Sequence, residues 1–322
     1  MNTHINLDKI KGTPIFKALS RLSVLLILFI ILAFTTHNFI KASNLSTILL
    51  QVAVYAVIAY GVTFVLIVGA TDLSAGSVVG LAGIVTALLL RDYNVSPIVA
   101  ILAGLATGLL CGFINGICVT YLKIMPFIAT LGTSWIFRGF CQLIGDGQPV
   151  TIRSSTNPEA AEFLKTLGSG RIGGFPIAAI VFLVLAVVLS ILLTKTVLGR
   201  NVFATGSNEE AARLSGINVR RTTICAFMLC DVMAALGGVL ITARLSSGQI
   251  AAGTGYELEG IAAAVMGGEG SIAGALIGAL IMGMLRNGLN LNGINSYWQQ
   301  IVIGTILIFA VAFDLFQRRK NK

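Results

Sequence analysis

Long apolar stretches alternate with short polar ones along the whole chain, and ten apolar stretches can be separated. Most of them reach the roughly 17 to 25 residues that a helix needs to cross a bilayer. They lie at 20–36, 48–69, 73–90, 97–121, 126–144, 175–194, 222–243, 257–268, 272–291 and 297–316. The pattern predicts an all-α integral membrane protein with about ten transmembrane helices in a single domain over residues 1–322.

The eighth stretch, "ELEGIAAAVMGG" at 257–268, is too short for an ordinary crossing, so taken alone it either crosses or re-enters. Lysines and arginines in short loops stay on the cytoplasmic side, so their positions decide between a crossing and a re-entrant segment. The N-terminal region holds Lys9, Lys11, Lys17 and Arg21, and the 195–221 loop holds Lys195, Arg200, Arg213, Arg220 and Arg221. The C-terminal "QRRKNK" lies on the same, cytoplasmic side only if the eighth stretch crosses the membrane. We therefore expect ten crossings, one of them short or broken, with both termini cytoplasmic and the 145–174 loop extracytoplasmic.

A weak internal similarity predicts two halves of five helices. "GFINGICVTYLKIMPF" after the fourth stretch resembles "MLRNGLNLNGINSYW" after the ninth, and "TDLSAGSVVGLAG" resembles "YELEGIAAAVMGG". Since five is an odd number of crossings, the second half would be inverted relative to the first, as in many transporters.

Glycines at four-residue spacing lie on one face of two predicted helices and let a neighbouring helix approach closely. They are Gly104, Gly108, Gly112 and Gly116 in the fourth stretch, and Gly274 and Gly278 in the ninth. Tight packing inside one subunit and a subunit interface are both compatible with this pattern.

Composition supports the membrane class. The chain is 56% hydrophobic and only 11% charged, with a mean hydropathy of +0.91, whereas soluble domains carry roughly a quarter charged residues. The net charge of +9 is spread over several loops, which does not suggest a nucleic-acid partner. The cysteines show no metal-ligand spacing and are predicted to be small buried hydrophobes. The N-terminus carries no cleavable signal pattern.

One polar segment, "GSNEEAARLSGI" at 206–217, stands between two long apolar runs. Ser207 and Glu210 have the S-x-x-E spacing of a capping box, and Gly216 suits a left-handed C-terminal cap. Glu209 and Arg213 are spaced i, i+4. A helix of about two turns is too short to be stable in water by itself, so it either docks into another protein or lies on the membrane surface.

The segment "GSNEEAARLSGINVRR" resembles the cytoplasmic coupling segment of the ribose-type, monosaccharide-importing permease subunits of bacterial ATP-binding cassette importers. "GATDLSAGSVVGLAG", "PFIATLGTSWIFRG" and "MGGEGSIAGALIGALIMGMLRNGLN" match the same family, so the resemblance covers nearly the whole chain. It implies a coupling helix at 207–216 that docks on a cytoplasmic ATP-binding subunit. The residues expected to make this contact are Ser207, Glu209, Glu210, Ala211, Ala212, Arg213 and Gly216.

The resemblance also implies a bacterial inner-membrane permease subunit, not an enzyme, that imports a monosaccharide such as ribose by alternating access. Its partners would be the lipid bilayer, a periplasmic sugar-binding protein and a second permease copy. No G-x-x-x-x-G-K-[ST] loop occurs in the chain, so ATP and Mg belong to the partner ATPase, and no cofactor or metal is expected on this chain. The 145–174 loop, which contains a predicted short helix at "NPEAAEFLKTL", either meets the sugar-binding protein or is a plain connector.

A neutral sugar needs hydroxyl and amide partners, and an unsatisfied polar group in a membrane costs several kcal/mol by rough estimate. Pathway candidates are Asp72, Asn115, Thr130, Thr133, Asn287 and Asn290, each of which also has a purely structural interpretation. Charges at membrane depth are functional candidates by default. These are Arg138, Asp231 and Arg286, with Asp231 paired to either arginine or acting as a proton carrier. The last possibility belongs to the alternative function, an ion-coupled secondary transporter of a small polar solute.

Overall fold

The computed structural model describes residues 14–152, 157–268, 270–305 and 308, and its architecture there is helical. The helices are α1 (Pro14–Thr35), α2 (Ala42–Ile67), α3 (Ala75–Arg91), α4 (Pro97–Thr120), α5 (Pro126–Ile144), α6 (Pro158–Ser169), α7 (Ile177–Lys195), α8 (Val197–Ser207), α9 (Glu209–Leu214), α10 (Val219–Leu245), α11 (Tyr256–Met266) and α12 (Ile272–Leu291). Residues 296–305 are also helical. The strands are β1 (Val150–Thr151), β2 (Arg171–Ile172), β3 (Phe175–Pro176) and β4 (Ser247–Gly248).

Within the described residues, six helices are long and apolar enough to cross a membrane: α2, α4, α5, α7, α10 and α12. The other predicted crossings fall on two shorter apolar helices, 22–35 of α1 and α3, on the 11-residue helix α11 and on the helical segment 296–305. The all-α membrane class is therefore confirmed, while the number of ten crossings stays a prediction. The basic residues Lys9 and Lys11, the C-terminal "QRRKNK" and the end of the tenth stretch lie outside the described residues.

The centre of the bundle is α10, a 27-residue helix that packs against α2, α3 and α4. The predicted glycine faces form this packing. A methyl group on Gly116 would lie 2.8 Å from the Ile224 Cα atom of α10, and one on Gly278 would collide with the Ala263 carbonyl of α11. Both glycine faces therefore serve packing inside one subunit.

The outward-facing sides of α4, α5 and α7 are apolar. Leu102 is 59% exposed, Trp135 76% and Val187 61%, and each lies among other exposed aliphatic or aromatic side chains. Such a surface suits lipid rather than water. Three cysteines are buried as predicted, and Cys118 is partly so, but Cys225 is exposed on α10.

The two ends of the bundle carry different short elements. The predicted helix in the 145–174 loop is α6, which begins with Pro158 and is capped by Asn157, whose Oδ1 accepts from the Ala160 amide at 2.9 Å. Strand β1 of this loop pairs antiparallel with β4, with Val150 opposite Gly248. The 19-residue helix α7 separates this α6 end from the end that carries α8 and α9.

Candidate functional site

The predicted coupling segment folds as a separate six-residue helix, α9. Its N-cap is Asn208, whose Oδ1 accepts from the Ala211 amide at 2.9 Å. Ser207 is instead the last residue of α8. The capping box between Ser207 and Glu210 is therefore wrong, because α8 continues one residue further than the pattern indicated and leaves Asn208, an equally good capping residue, at the break.

The other end of α9 is closed as predicted. Gly216 adopts a left-handed conformation with φ of 83°. The Gly216 amide donates to the Arg213 carbonyl and the Ile217 amide to the Ala212 carbonyl, both at 3.1 Å. These two bonds constitute a Schellman motif, which satisfies carbonyls that the helix end would otherwise leave free.

Most of the α9 surface is uncovered. Ala212 is 4% exposed and is the residue that anchors the helix to the rest of the chain, whereas Leu214 is 80% exposed. Arg213 approaches Glu210 at 4.0 Å rather than the predicted Glu209, and both partners of this pair are exposed. A short helix closed at both ends and exposed over most of its surface is accessible to another protein.

Four of the predicted pathway residues come together in one buried network around the start of α3. Asn115 of α4 donates to Ser74 Oγ at 2.7 Å and to Asp231 Oδ2 at 2.9 Å. Its own Oδ1 accepts from Thr133 Oγ1 at 2.6 Å. The Ser74 hydroxyl donates to Asp72 Oδ1 at 2.7 Å, and the Ser74 amide donates to the same oxygen at 2.8 Å.

This network ties four parts of the chain together. Thr130 of α5 accepts from the Leu73 amide at 3.1 Å, and Asp231 belongs to α10. Asp72, Asn115, Thr130 and Asp231 are all fully buried. The network thus fixes the segment before α3 against α4, α5 and α10.

Two carboxylate oxygens in the network have no hydrogen-bond partner among the described residues, Asp72 Oδ2 and Asp231 Oδ1. Ligand atoms of Asp72, Asp231 and Cys230 lie within 4.8 Å of one another, close enough to hold a metal ion. Sequence spacing gave no sign of Cys230, because the three residues come from two distant segments. Asp231 contacts Asn115 rather than Arg138 or Arg286, so neither arginine is its ion-pair partner.

Arg138 pairs with backbone carbonyls and not with Asp231. Its guanidinium donates to the carbonyl oxygens of Ile250 at 2.5 Å, Ala252 at 2.9 Å and Gly76 at 3.2 Å. These carbonyls belong to the turn before α11 and to the first turn of α3. Arg138 therefore holds two backbone segments together.

Arg286 pairs with Glu259 of α11, and its guanidinium lies 5.7 Å from the centre of the Tyr55 ring. The Tyr55 ring in turn meets Tyr256 edge to face at 5.2 Å. Sequence reasoning missed Glu259 and Tyr55 because their partners lie on other helices.

The last two pathway candidates are apart from the network. Asn287 and Asn44 exchange two hydrogen bonds of 2.9 Å, a reciprocal amide pair between α12 and α2. Asn290 is exposed and accepts from Gln299 at 2.9 Å. The six candidates therefore do not form one continuous lining in this conformation.

Residues 44–311 match the family described as the permease component of branched-chain amino acid transport systems. The ribose import permease protein RbsC of Bacillus subtilis is 41% identical over 296 residues, 90% of this chain and 90% of that protein. RbsC of Escherichia coli is 40% identical over 299 residues, covering 91% of this chain and 92% of the relative.

The galactose/methyl galactoside import permease protein MglC of Haemophilus influenzae is 37% identical over 338 residues, covering 98% of this chain and 99% of the relative. No solved structure matches the chain.

Proposed function

The chain belongs to the family of permease components of branched-chain amino acid transport systems, and we propose that it is the membrane subunit of an ATP-driven monosaccharide importer. As a permease component it is a transport subunit rather than an enzyme. The observation that carries the proposal is α9, a short helix closed by Asn208 and Gly216 that displays Leu214 to the outside. A partner that covers this helix can move the bundle without contributing any part of the membrane pathway.

A sugar is a better substrate than the amino acid in the family's description. The relatives that cover this chain almost completely carry the names of ribose and galactose permeases. A free amino acid presents a carboxylate, which needs a cationic partner. Arg138 is already engaged by three carbonyls and Arg286 by Glu259. Ribose itself is the substrate we propose to test first.

The arrangement in the membrane follows from the same proposal. Ten crossings place both termini and α9 in the cytoplasm and α6 outside the bacterial inner membrane. Cytoplasmic ATP-binding subunits hold ATP and Mg and dock on the 207–216 segment. A periplasmic sugar-binding protein delivers sugar at the α6 end, and a second permease copy completes the pathway.

The proposed mechanism is alternating access, driven through α9. Residues 215–218 connect α9 directly to α10, the central helix of the bundle. Motion of α9 therefore reaches Asp231 and, through Asn115 and Ser74, the start of α3. Because packed interfaces change between discrete arrangements rather than deforming continuously, such a displacement can switch the side on which the pathway opens. The polar network then positions α3, with Asp72 and Thr130 as part of the same unit.

Uptake into proteoliposomes tests the proposal against its alternative, an ion-coupled secondary transporter, which the buried pair of Asp72 and Asp231 would suit. The complete complex should accumulate radiolabelled ribose only when ATP is supplied to the α9 side. Accumulation driven by a pH or sodium gradient without ATP would refute the importer and support the secondary transporter.

A further inference from the structure

Two helices begin inside the membrane-spanning body instead of at its surface. Val79 of α3 packs against Gly238 of α10, and Gly83 packs against Thr242. The two helices therefore run in the same direction, and Gly76 of α3 lies at the same level as residue 235 of α10. That level is about 15 Å from the end of α10 at Leu245, half of a typical hydrocarbon core. A side chain at Gly76 would collide with the carboxylate of Glu257 and with the Gly253 carbonyl, so α11 begins at the same depth.

The segment that leads to α11 is non-helical at membrane depth. Gly248 lies beside Gly83 and Ile84, toward the far end of α3, whereas Gly253 lies beside Gly76 in the first turn of α3. Residues 249–255 form successive turns along this path. Backbone of this kind carries polar groups that an α-helix would have satisfied, and lipid offers them no partner.

Protein groups satisfy part of this backbone on both sides, and the Thr254 hydroxyl donates to the exposed Ala251 carbonyl at 2.9 Å. On the α3 side, Arg138 donates to the carbonyls of Ile250 and Ala252. On the other side, Ala251, Thr254 and Leu258 are exposed. Irregular backbone occurs at membrane depth only where it is buried in protein or borders a water-filled cavity. This exposed side is therefore not a lipid-facing surface.

The side chains around this surface suit a neutral, hydroxyl-rich molecule. The Glu257 carboxylate is half-buried and interacts electrostatically with the Arg138 guanidinium. Thr254 adds a hydroxyl group at the edge. We define the junction surface as Arg138, Ala251, Thr254, Glu257 and Leu258. The Glu257 carboxylate and the Thr254 hydroxyl offer partners to sugar hydroxyls without tight binding, while Arg138 holds the backbone beside them.

We propose that the junction surface lines the water-filled translocation path and contacts the sugar where α3 and α11 begin. This inference rests on the proposed function and locates its substrate path. The helices α3 and α11 start with "AGSVVGLAG" and "YELEGIAAAVMGG", the stretches whose similarity predicted inverted halves. Interrupted helices at corresponding positions of two halves are the usual place of a transporter's substrate site.

Thiol labelling tests the location without reference to the substrate. In a background carrying Cys118→Ser and Cys225→Ser, Thr254→Cys is introduced, and Leu102→Cys on the lipid-facing side of α4 serves as the control. The complex with its ATPase is reconstituted and exposed to a charged, water-soluble methanethiosulfonate. We expect the thiol at position 254 to react at least about tenfold faster than the one at position 102, and ribose to slow it.

Equal, slow labelling at both positions would overturn the proposal, and so would a disulfide between two copies at position 254, which would assign the junction surface to the subunit interface. Fast labelling in a complex that shows no ATP-dependent ribose uptake would support a water-filled path at the junction surface. It would refute only the proposed function.

A second variant tests contact with the sugar. Glu257→Gln keeps the size of the side chain but removes its charge, and hydrogen bonds to charged groups are the stronger ones, so KM for ribose uptake should rise about tenfold. The amount of assembled complex, measured by gel filtration, should be unchanged, which separates a change in KM from a loss of folding. An unchanged KM with both labelling results as expected would exclude Glu257 from sugar contact and overturn that part of the inference.

Discussion

Replacing Gly216 by valine should uncouple ATP hydrolysis from transport. Gly216 has φ of 83°, and a Cβ atom there would meet nothing within 4 Å. The change therefore costs conformational energy without any clash. A residue with a Cβ in the left-handed region costs about 1 to 2 kcal/mol, and a branched Cβ makes valine an unfavourable choice.

The magnitude is large for a helix of this size. Six residues of α9 are held at their C-terminal end by two hydrogen bonds of 3.1 Å, to the carbonyls of Ala212 and Arg213. A cost of about 1 to 2 kcal/mol lowers the population of the closed Schellman motif about 5- to 30-fold relative to an unwound end. An unwound end cannot transmit displacement to α10 as a rigid body.

The assay measures ribose imported and ATP hydrolysed by the same proteoliposomes. We expect Gly216→Val to reduce the ratio of sugar to ATP at least about fivefold, in line with the lower end of the conformational cost. Gly216→Asn is the matched control, since asparagine tolerates the left-handed conformation and should keep most of the ratio. Normal coupling in the valine variant, or an equal defect in the asparagine variant, would refute the reasoning.

Three further predictions concern association and stability. Leu214→Ala should weaken binding of the purified ATPase at least about tenfold, because burial of a leucine side chain is worth about 1.5 to 3 kcal/mol. Leu102→Ala on the lipid-facing side should leave this affinity unchanged, and titration in detergent measures both variants. Gly116→Ala should lower the unfolding temperature in detergent, because overpacking costs about 1 to 3 kcal/mol, while Gly132→Ala, with open space around it, should not. Asn287→Leu should destabilise the protein by about 1 to 3 kcal/mol, since Asn44 loses the two hydrogen bonds that it exchanges with Asn287 and keeps only its donation to the Phe39 carbonyl; unchanged thermal unfolding would contradict this.

Sequence patterns predicted the helical framework well, because long apolar segments have few alternatives to helices in a membrane. The positions of Gly116 and Gly278 likewise gave the correct packing faces, since four-residue spacing defines a helix side regardless of the partner. Gly216 and Pro158 marked a helix end and a helix start correctly. These signals are local, and each depends on the backbone around one residue.

Pairings between distant segments could not be predicted in the same way. Arg138 and Asp231 are both charged residues at membrane depth, and the sequence left open whether they form a pair. In the structure, Arg138 donates to backbone carbonyls instead. Those before α11 are free to accept because the chain there is not helical. Glu259 was overlooked because its partner Arg286 lies on another helix. Partner choice depends on helix register, and register follows from packing rather than from local pattern.

We propose that a separate ATP-hydrolysing protein binds α9 from the cytoplasm. A photoreactive amino acid at Glu209, tested in intact cells that express the whole transporter, measures this contact directly, with the same group at Phe175 on the α6 end as control. We expect a covalent adduct with the ATP-binding subunit from position 209 and none from position 175. Absence of that adduct from position 209, or its formation from position 175 alone, would refute the docking of the ATP-binding subunit on α9.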